Sequence, residues 1–177
     1  MNDFIKEKIR TIPNWPKAGV MFRDITTLLK DPAGFQEVMK LFFERFQNEK
    51  IDKIVGVESR GFIIGGALAD RLKIGFVPVR KIGKLPAETI TEDYELEYGS
   101  NKLQIHLDAI NPGEKILIID DLLATGGTAL ATCKLVKNLG GEIVECAFII
   151  NLPDLGGSDK LKKHDFKVFN LVEFLGE

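Results

Sequence analysis

Apolar residues recur at helical spacing after Asp31-Pro32. Phe35, Val38, Met39, Phe42 and Phe46 fall on one face, which predicts an amphipathic helix over residues 32–49. Asp31 reads as its N-cap, with proline at the first helical position. Short apolar runs predict strands at 53–57, 75–79, 102–107, 115–119, 142–150 and 167–172. Between them, residues 61–72 and 128–139 read as helices, the second ended by Gly140-Gly141. A short helix is expected at 154–164. Strands alternating with helices imply βαβ units and a mostly parallel sheet, an α/β fold. In such sheets ligands bind beyond the carboxyl ends of the strands. The loops after Val57, Val79 and Ile119 are therefore the places to look for chemistry.

Composition narrows the classes. The chain has 177 residues, 45% apolar and 28% charged, as an ordinary globular protein has. A single domain is expected from this length. No apolar run reaches the roughly 18 residues of a membrane span, and MNDFIKEKIR shows no secretory h-region. Net charge is −2, which argues against a nucleic-acid binder. The two cysteines, Cys133 and Cys146, fit no zinc or redox spacing, so a reduced, cytoplasmic setting is expected.

The most informative segment is KILIIDDLLATGGTAL, residues 115–130. An apolar strand runs into Asp120-Asp121, then Ala124-Thr125-Gly126-Gly127-Thr128, then a helix. Glycines let backbone N–H groups turn toward a ligand, and the helix N-terminus adds positive potential. With two threonine hydroxyls, this makes a cradle for a phosphate. No lysine follows the glycines, so it is not the triphosphate-binding G-x-x-x-x-G-K-[ST] loop. Adjacent acids suit a pair of vicinal hydroxyls, directly or through a metal. A diol beside a phosphate describes a ribose 5-phosphate. The blander alternative is a solvated strand end and a plain turn. Ser59-Arg60-Gly61, at a strand-to-helix junction, offers backbone donors and a guanidinium suited to diphosphate. Arg80, Lys81 and Lys84 place three cations after another strand. Residues 85–101 carry five acids and no basic residue, and read as a long loop of the kind that serves as a lid. His106 and His164 have no metal spacing.

The string at 116–128 resembles the phosphoribosyl-diphosphate motif of type I phosphoribosyltransferases. IPNWPKAGVMFRDITTLL (12–29), VGVESRGF (55–62), VPVRKIGKLP (77–86), YELEYG (94–99) and HLDAINPG (106–113) follow in the order found in the adenine phosphoribosyltransferases, over residues 4–153. The resemblance implies the type I fold, with a base-binding hood and helix over 1–50 and a core over 51–177 bearing a lid loop at 85–101. It implies that adenine and 5-phosphoribosyl 1-diphosphate give AMP and diphosphate with Mg²⁺, by displacement at ribose C1′ through an oxocarbenium-like transition state. The magnesium would be held mainly by the substrate, with no dedicated protein site. On the same basis Asp120 and Asp121 hold the ribose hydroxyls, and Ala124, Thr125, Gly126, Gly127 and Thr128 hold the 5′-phosphate. Ser59, Arg60, Arg80, Lys81 and Lys84 face the diphosphate, and the Glu58–Ser59 peptide is cis. Phe22 stacks on the base, backbone groups of Met21 and Arg23 read its edge, and Leu122 covers its other face. Glu97 and Tyr98 form the lid motif. Glu97, as proton donor near the purine N7, Arg60 and Lys81 are the expected catalytic residues. A homodimer sharing a basic residue between sites is also implied. Trp15 and Ala18 stand where phenylalanine and proline are common. Two alternatives share the phosphoribosyl-diphosphate loop: a transferase for another purine base, and a regulator that senses the same donor.

Overall fold

The computed structural model describes residues 2–95 and 100–176. In chain order the elements are α1 Asp3–Glu7, β1 Arg10–Pro13, β2 Met21–Asp24, α2 Thr26–Leu29, α3 Pro32–Phe46, β3 Lys53–Val57, α4 Arg60–Leu72, β4 Gly75–Lys81, β5 Thr89–Glu95, β6 Ser100–His106, β7 Lys115–Leu123, α5 Gly127–Asn138, β8 Glu142–Asn151, α6 Gly157–Lys162 and β9 Val168–Glu173. A seven-stranded sheet has the order β5-β6-β4-β3-β7-β8-β9. From β4 to β9 every pairing is parallel; β6 and β5 add an antiparallel edge. The expected mostly parallel α/β architecture is what forms.

Both faces of the sheet are covered, so its central strands are apolar without alternation. In β7, Leu117 and Ile119 join the core under α3 and α4, with Phe42, Ile54 and Leu68. Ile116 and Ile118 join the core under α5, with Val55, Leu135 and Phe148.

The structure departs from the sequence expectation in three places. First, β7 does not end at 119 but continues to Leu123, because β8 is long enough to pair with it as far as Asn151. Asp120 and Asp121 therefore lie inside a strand. The pairing of β3 stops at Gly56–Ile119, which leaves one side of the acids open. Second, the segment expected as a lid loop over 85–101 is largely the arm of a hairpin, with β5 paired to β6 from Thr89–His106 to Glu95–Ser100. Tyr94 is buried and Thr91 and Asp93 are exposed, a period of two that acidic composition masked. Third, the N-terminal loop contains a separate two-stranded hairpin, β1 with β2.

That hairpin is tied down at its root. Asp24 accepts from Arg10 Nη2 at 2.5 Å and from the Thr26 amide at 2.9 Å. Arg10 and Thr26 together lower the Asp24 pKa to about 2. A lowered carboxyl contributes stability above its unfolded value of about 3.9 and loses it as pH falls. Asp24→Asn should therefore cost about 1–2 kcal/mol at pH 7, the exposed Arg10 side being screened by solvent. Urea titrations should show the gap from the parent protein closing between roughly pH 4 and 2. A gap independent of pH would place the cost elsewhere.

Candidate active site

A cleft of about 430 Å³ opens at the carboxyl ends of β3, β4 and β7. Three segments form it: residues 58–60, Lys81, and residues 120–129, with Tyr94 and Leu103 of the hairpin closing one side. The sequence-derived groups from the first and third segments and Lys81 thus share one cavity.

The acids form its floor. Asp121 is buried and accepts from Arg60 Nε at 2.5 Å. The Asp121 amide donates to Asp120 Oδ1 at 2.8 Å. Burial, and then the neighbouring Asp121 charge, push the Asp120 carboxyl well above its usual range. Burial opposes the charge on Arg60, but Asp121, Asp120 and Asp24 outweigh it and raise the guanidinium's pKa. Two carboxylates thus share one firmly held cation. Gly61 permits this approach. A Cβ there would sit 2.9 Å from the Ile119 carbonyl oxygen and 3.0 Å from Asp120 Oδ1.

The cradle follows. Gly126 has φ of +77°, which turns the chain into α5 at Gly127. Its other wall is Gly157, at the start of α6. A Cβ on Gly157 would lie 2.1 Å from the Ala124 carbonyl oxygen and 2.8 Å from the Gly126 amide nitrogen. Sequence reading missed Gly157; its signal was the Gly156-Gly157 pair opening a helix.

On the opposite side the Glu58–Ser59 peptide is cis, as the resemblance implied. Of the three cations, Lys81 lines the cleft. Arg80 points instead to Glu58, donating through Nε at 3.2 Å, and to the Lys84 carbonyl at 3.2 Å. Lys84 is exposed and lies outside the cleft wall. Glu58, also missed, accepts from the Lys81 amide at 3.0 Å. Burial opposes its charge, yet that amide and Arg80 hold its carboxyl below the usual range. It therefore sets the direction of both residues 80 and 81. Its signal was an acid immediately before the Ser59-Arg60-Gly61 turn.

The expected base-binding residues fall in two places. Leu122 lines the cleft. Met21, Phe22 and Arg23 lie on β2, outside that wall, although the adjoining Asp24 is near enough to act on Arg60. Phe22 meets Trp15 edge to face at 4.4 Å. Arg23 donates to Thr11 Oγ1 at 2.6 Å and covers the Phe174 ring at 4.4 Å. Glu97 and Tyr98 lie outside the described residues.

Residues 24–175 match the phosphoribosyl transferase domain family. An adenine phosphoribosyltransferase of Nitrosomonas europaea is 59% identical over 170 residues, 96% of this chain and 98% of its own. The crystal structure of adenine phosphoribosyltransferase from Thermoanaerobacter pseudethanolicus superposes with a TM-score of 0.93 at 46% identity, covering 97% of this chain and 99% of that one. The Saccharomyces cerevisiae enzyme, complexed with an imino-altritol bisphosphate and adenine, superposes with a TM-score of 0.90 at 41% identity, covering 96% and 97%.

The raised Asp120 carboxyl has a consequence for stability. Its ionised form is disfavoured in the folded chain, so folding weakens as pH rises above the unfolded value of about 3.9. Asp120→Asn should raise stability at pH 7 by about 0.5–2 kcal/mol. The gain should vanish below about pH 4. Denaturant midpoints at the two pH values check this; a variant destabilised at pH 7 would mean that Asp120 is comfortably ionised.

Proposed function

The chain belongs to the phosphoribosyltransferase family and, within it, to the adenine phosphoribosyltransferases; from that premise we propose how its own residues divide the work. The reaction joins adenine to 5-phosphoribosyl 1-diphosphate and releases AMP and diphosphate. The observation that carries the assignment is the convergence of an acid pair, a glycine cradle and cations on one cleft.

Residues 124–128 bind the 5′-phosphate through backbone amides and the Thr125 and Thr128 hydroxyls. Asp120 and Asp121 accept from the ribose hydroxyls. Ser59, Arg60 and Lys81 hold the diphosphate, with Arg80 and Lys84 flanking it. Before the donor arrives, Asp121 holds Arg60. The diphosphate gives that guanidinium a second anion, which frees Asp121 to turn toward the sugar. As the C1′–oxygen bond breaks, negative charge grows on the diphosphate where Arg60 and Lys81 lie, and their attraction strengthens.

The hard carboxylate oxygens of Asp120 and Asp121 fit Mg²⁺, which takes a few carboxylates plus substrate phosphates. Most of its donors would come from the substrate, as the family resemblance implies. When bound, the ion neutralises charge on the diphosphate.

Residues 1–50 act as a base-binding hood on the core of 51–177. Phe22 stacks on adenine, braced by Trp15, and Leu122 covers the other face. Backbone groups at Met21 and Arg23 read the base edge. Segment 85–101 closes as a lid, with Tyr98 ordering it and Glu97 donating a proton near the purine N7. The protein works as a cytoplasmic homodimer, without nucleic acid or membrane. Among the described residues, no helix is long and apolar enough to cross a membrane, and both cysteines are free and buried.

Two measurements test this reading. A backbone carbonyl accepts from the 6-amino group of adenine but faces the lone pairs of a 6-oxo base. Such unpaired buried groups cost about 1–3 kcal/mol each. A site that bonds one substrate group can reject its analogue by up to about 10⁵. AMP formation should therefore exceed the hypoxanthine reaction in kcat/KM by at least roughly 10³. Comparable values would reassign the base and leave the transferase standing. For the lid, Glu97→Gln should lower kcat roughly 10²–10⁴-fold with adenine affinity kept. A loss under about threefold would leave Glu97 without a proton to donate.

A further inference from the structure

A second groove, of about 580 Å³, lies between the β5–β6 hairpin, α5 and α6. Its size is in the range of roughly 300–1,000 Å³ that small-molecule sites occupy. Three lysines face one aspartate around it: Lys102 from β6, Lys134 from α5 and Lys160 from α6, against Asp93. This is a local excess of positive charge on a chain whose net charge is −2. Leu130, Ala131 and the buried Tyr94 give it an apolar side. His164, four residues after Lys160, adds a further nitrogen on the same rim. None of these basic residues takes part in the reaction described above.

We propose that this groove is a second binding site, selective for a nucleotide, whose occupant clamps the hairpin to α5 and α6. The phosphates would lie among Lys134, Lys160 and His164, and the base over Leu130 and Ala131. The two ion pairs already there do not block it. Lys102–Asp93 and Lys134–Glu92, both 2.9 Å, leave their lysines about half exposed. Exposed pairs of this kind hold weakly and exchange readily for a phosphate, which accepts several bonds at once. The Lys134–Glu92 pair already bridges helix to hairpin, and a phosphate on Lys134 and Lys160 would extend that bridge to α6.

The groove communicates with the reaction cleft through shared walls. Tyr94 and Gly127 border both cavities. Gly127 is the first residue of α5 and part of the cradle, and α6 packs on the cradle through Gly157. An occupant gripping all three elements would fix the cradle and the arm that bears residues 96–99.

The test is calorimetric titration of ATP into the full-length protein with the reaction cleft saturated by 5-phosphoribosyl 1-diphosphate, which carries no base to lie over Leu130 and Ala131. The expected result is one ATP bound per chain. Lys160→Glu with His164→Ala, both exposed and outside the reaction cleft, should weaken that binding at least tenfold while kcat for AMP formation is unchanged. Inorganic phosphate alone should bind at least tenfold more weakly than ATP. The proposal is overturned if ATP does not bind once 5-phosphoribosyl 1-diphosphate fills the cleft, or if the double variant binds ATP as the parent does. Phosphate binding as tightly as ATP would also overturn it, since the apolar side would then contribute nothing.

Discussion

Two carboxylates placed side by side where β7 outruns β3 are the constraint around which the reaction cleft is arranged. Asp120, half-buried, resists ionisation because the surrounding protein desolvates its carboxyl and Asp121 places a like charge beside it. The pair is tolerated because Arg60, at the start of α4, reaches Asp121 at 2.5 Å. That reach depends on the chain leaving β3 at Val57 and on Gly61 coming within contact of Ile119 and Asp120. On the proposed assignment the arrangement suits its task. A site that must accept two hydroxyl donors beside a polyanion keeps its cations on the diphosphate side and leaves the acids' hydrogen bonds for the sugar to complete.

The cradle is built the same way, by close backbone approach. Gly126 and Gly157 touch so closely that a methyl group on Gly157 would collide with the Ala124 carbonyl. The loop proposed to bind phosphate is thereby supported by α6, a short helix whose Leu161 is anchored in the core with Leu135 and Phe148. The acids and the cradle are thus rigid parts of the sheet and its helices. The N-terminal segment and the hairpin arm are anchored as well, through the buried Ile9 and Ile25 and through Tyr94, Leu103 and Ile105; Lys134–Glu92 adds an ion pair between hairpin and α5.

Much of this was legible in the sequence, and unevenly so. Strand β3 forms over the residues that its apolar run marked, and α4 and α5 begin within one residue of expectation. Buried parallel strands and capped helices impose strong local patterns. The acid pair and cradle were legible as chemistry, because few other demands put two acids and two glycines after an apolar strand. The extension of β7 was not, because it depends on the length of β8, a property of another segment. The β5 strand was hidden by Glu92, Asp93 and Glu95, whose charge outweighed the alternation of Ile90 and Tyr94. Glu58 and Gly157 were missed for a related reason: each acts on residues that are close in space, and a lone acid or a glycine pair carries no local sign of that. The four-residue strands of the hood are too short for any period to show.

The central claim is that Asp120 is held against ionisation in the free protein and that, on the proposed assignment, accepting hydrogen bonds from the ribose hydroxyls favours its charged form in the complex. Carbon-13 NMR of the Asp120 carboxyl, followed through a pH titration with and without saturating ribose 5-phosphate, measures it directly. The account predicts a midpoint above the ordinary aspartate range in the free protein and a lower one in the complex. An ordinary midpoint in the free protein, or one that ribose 5-phosphate leaves unmoved, would contradict it.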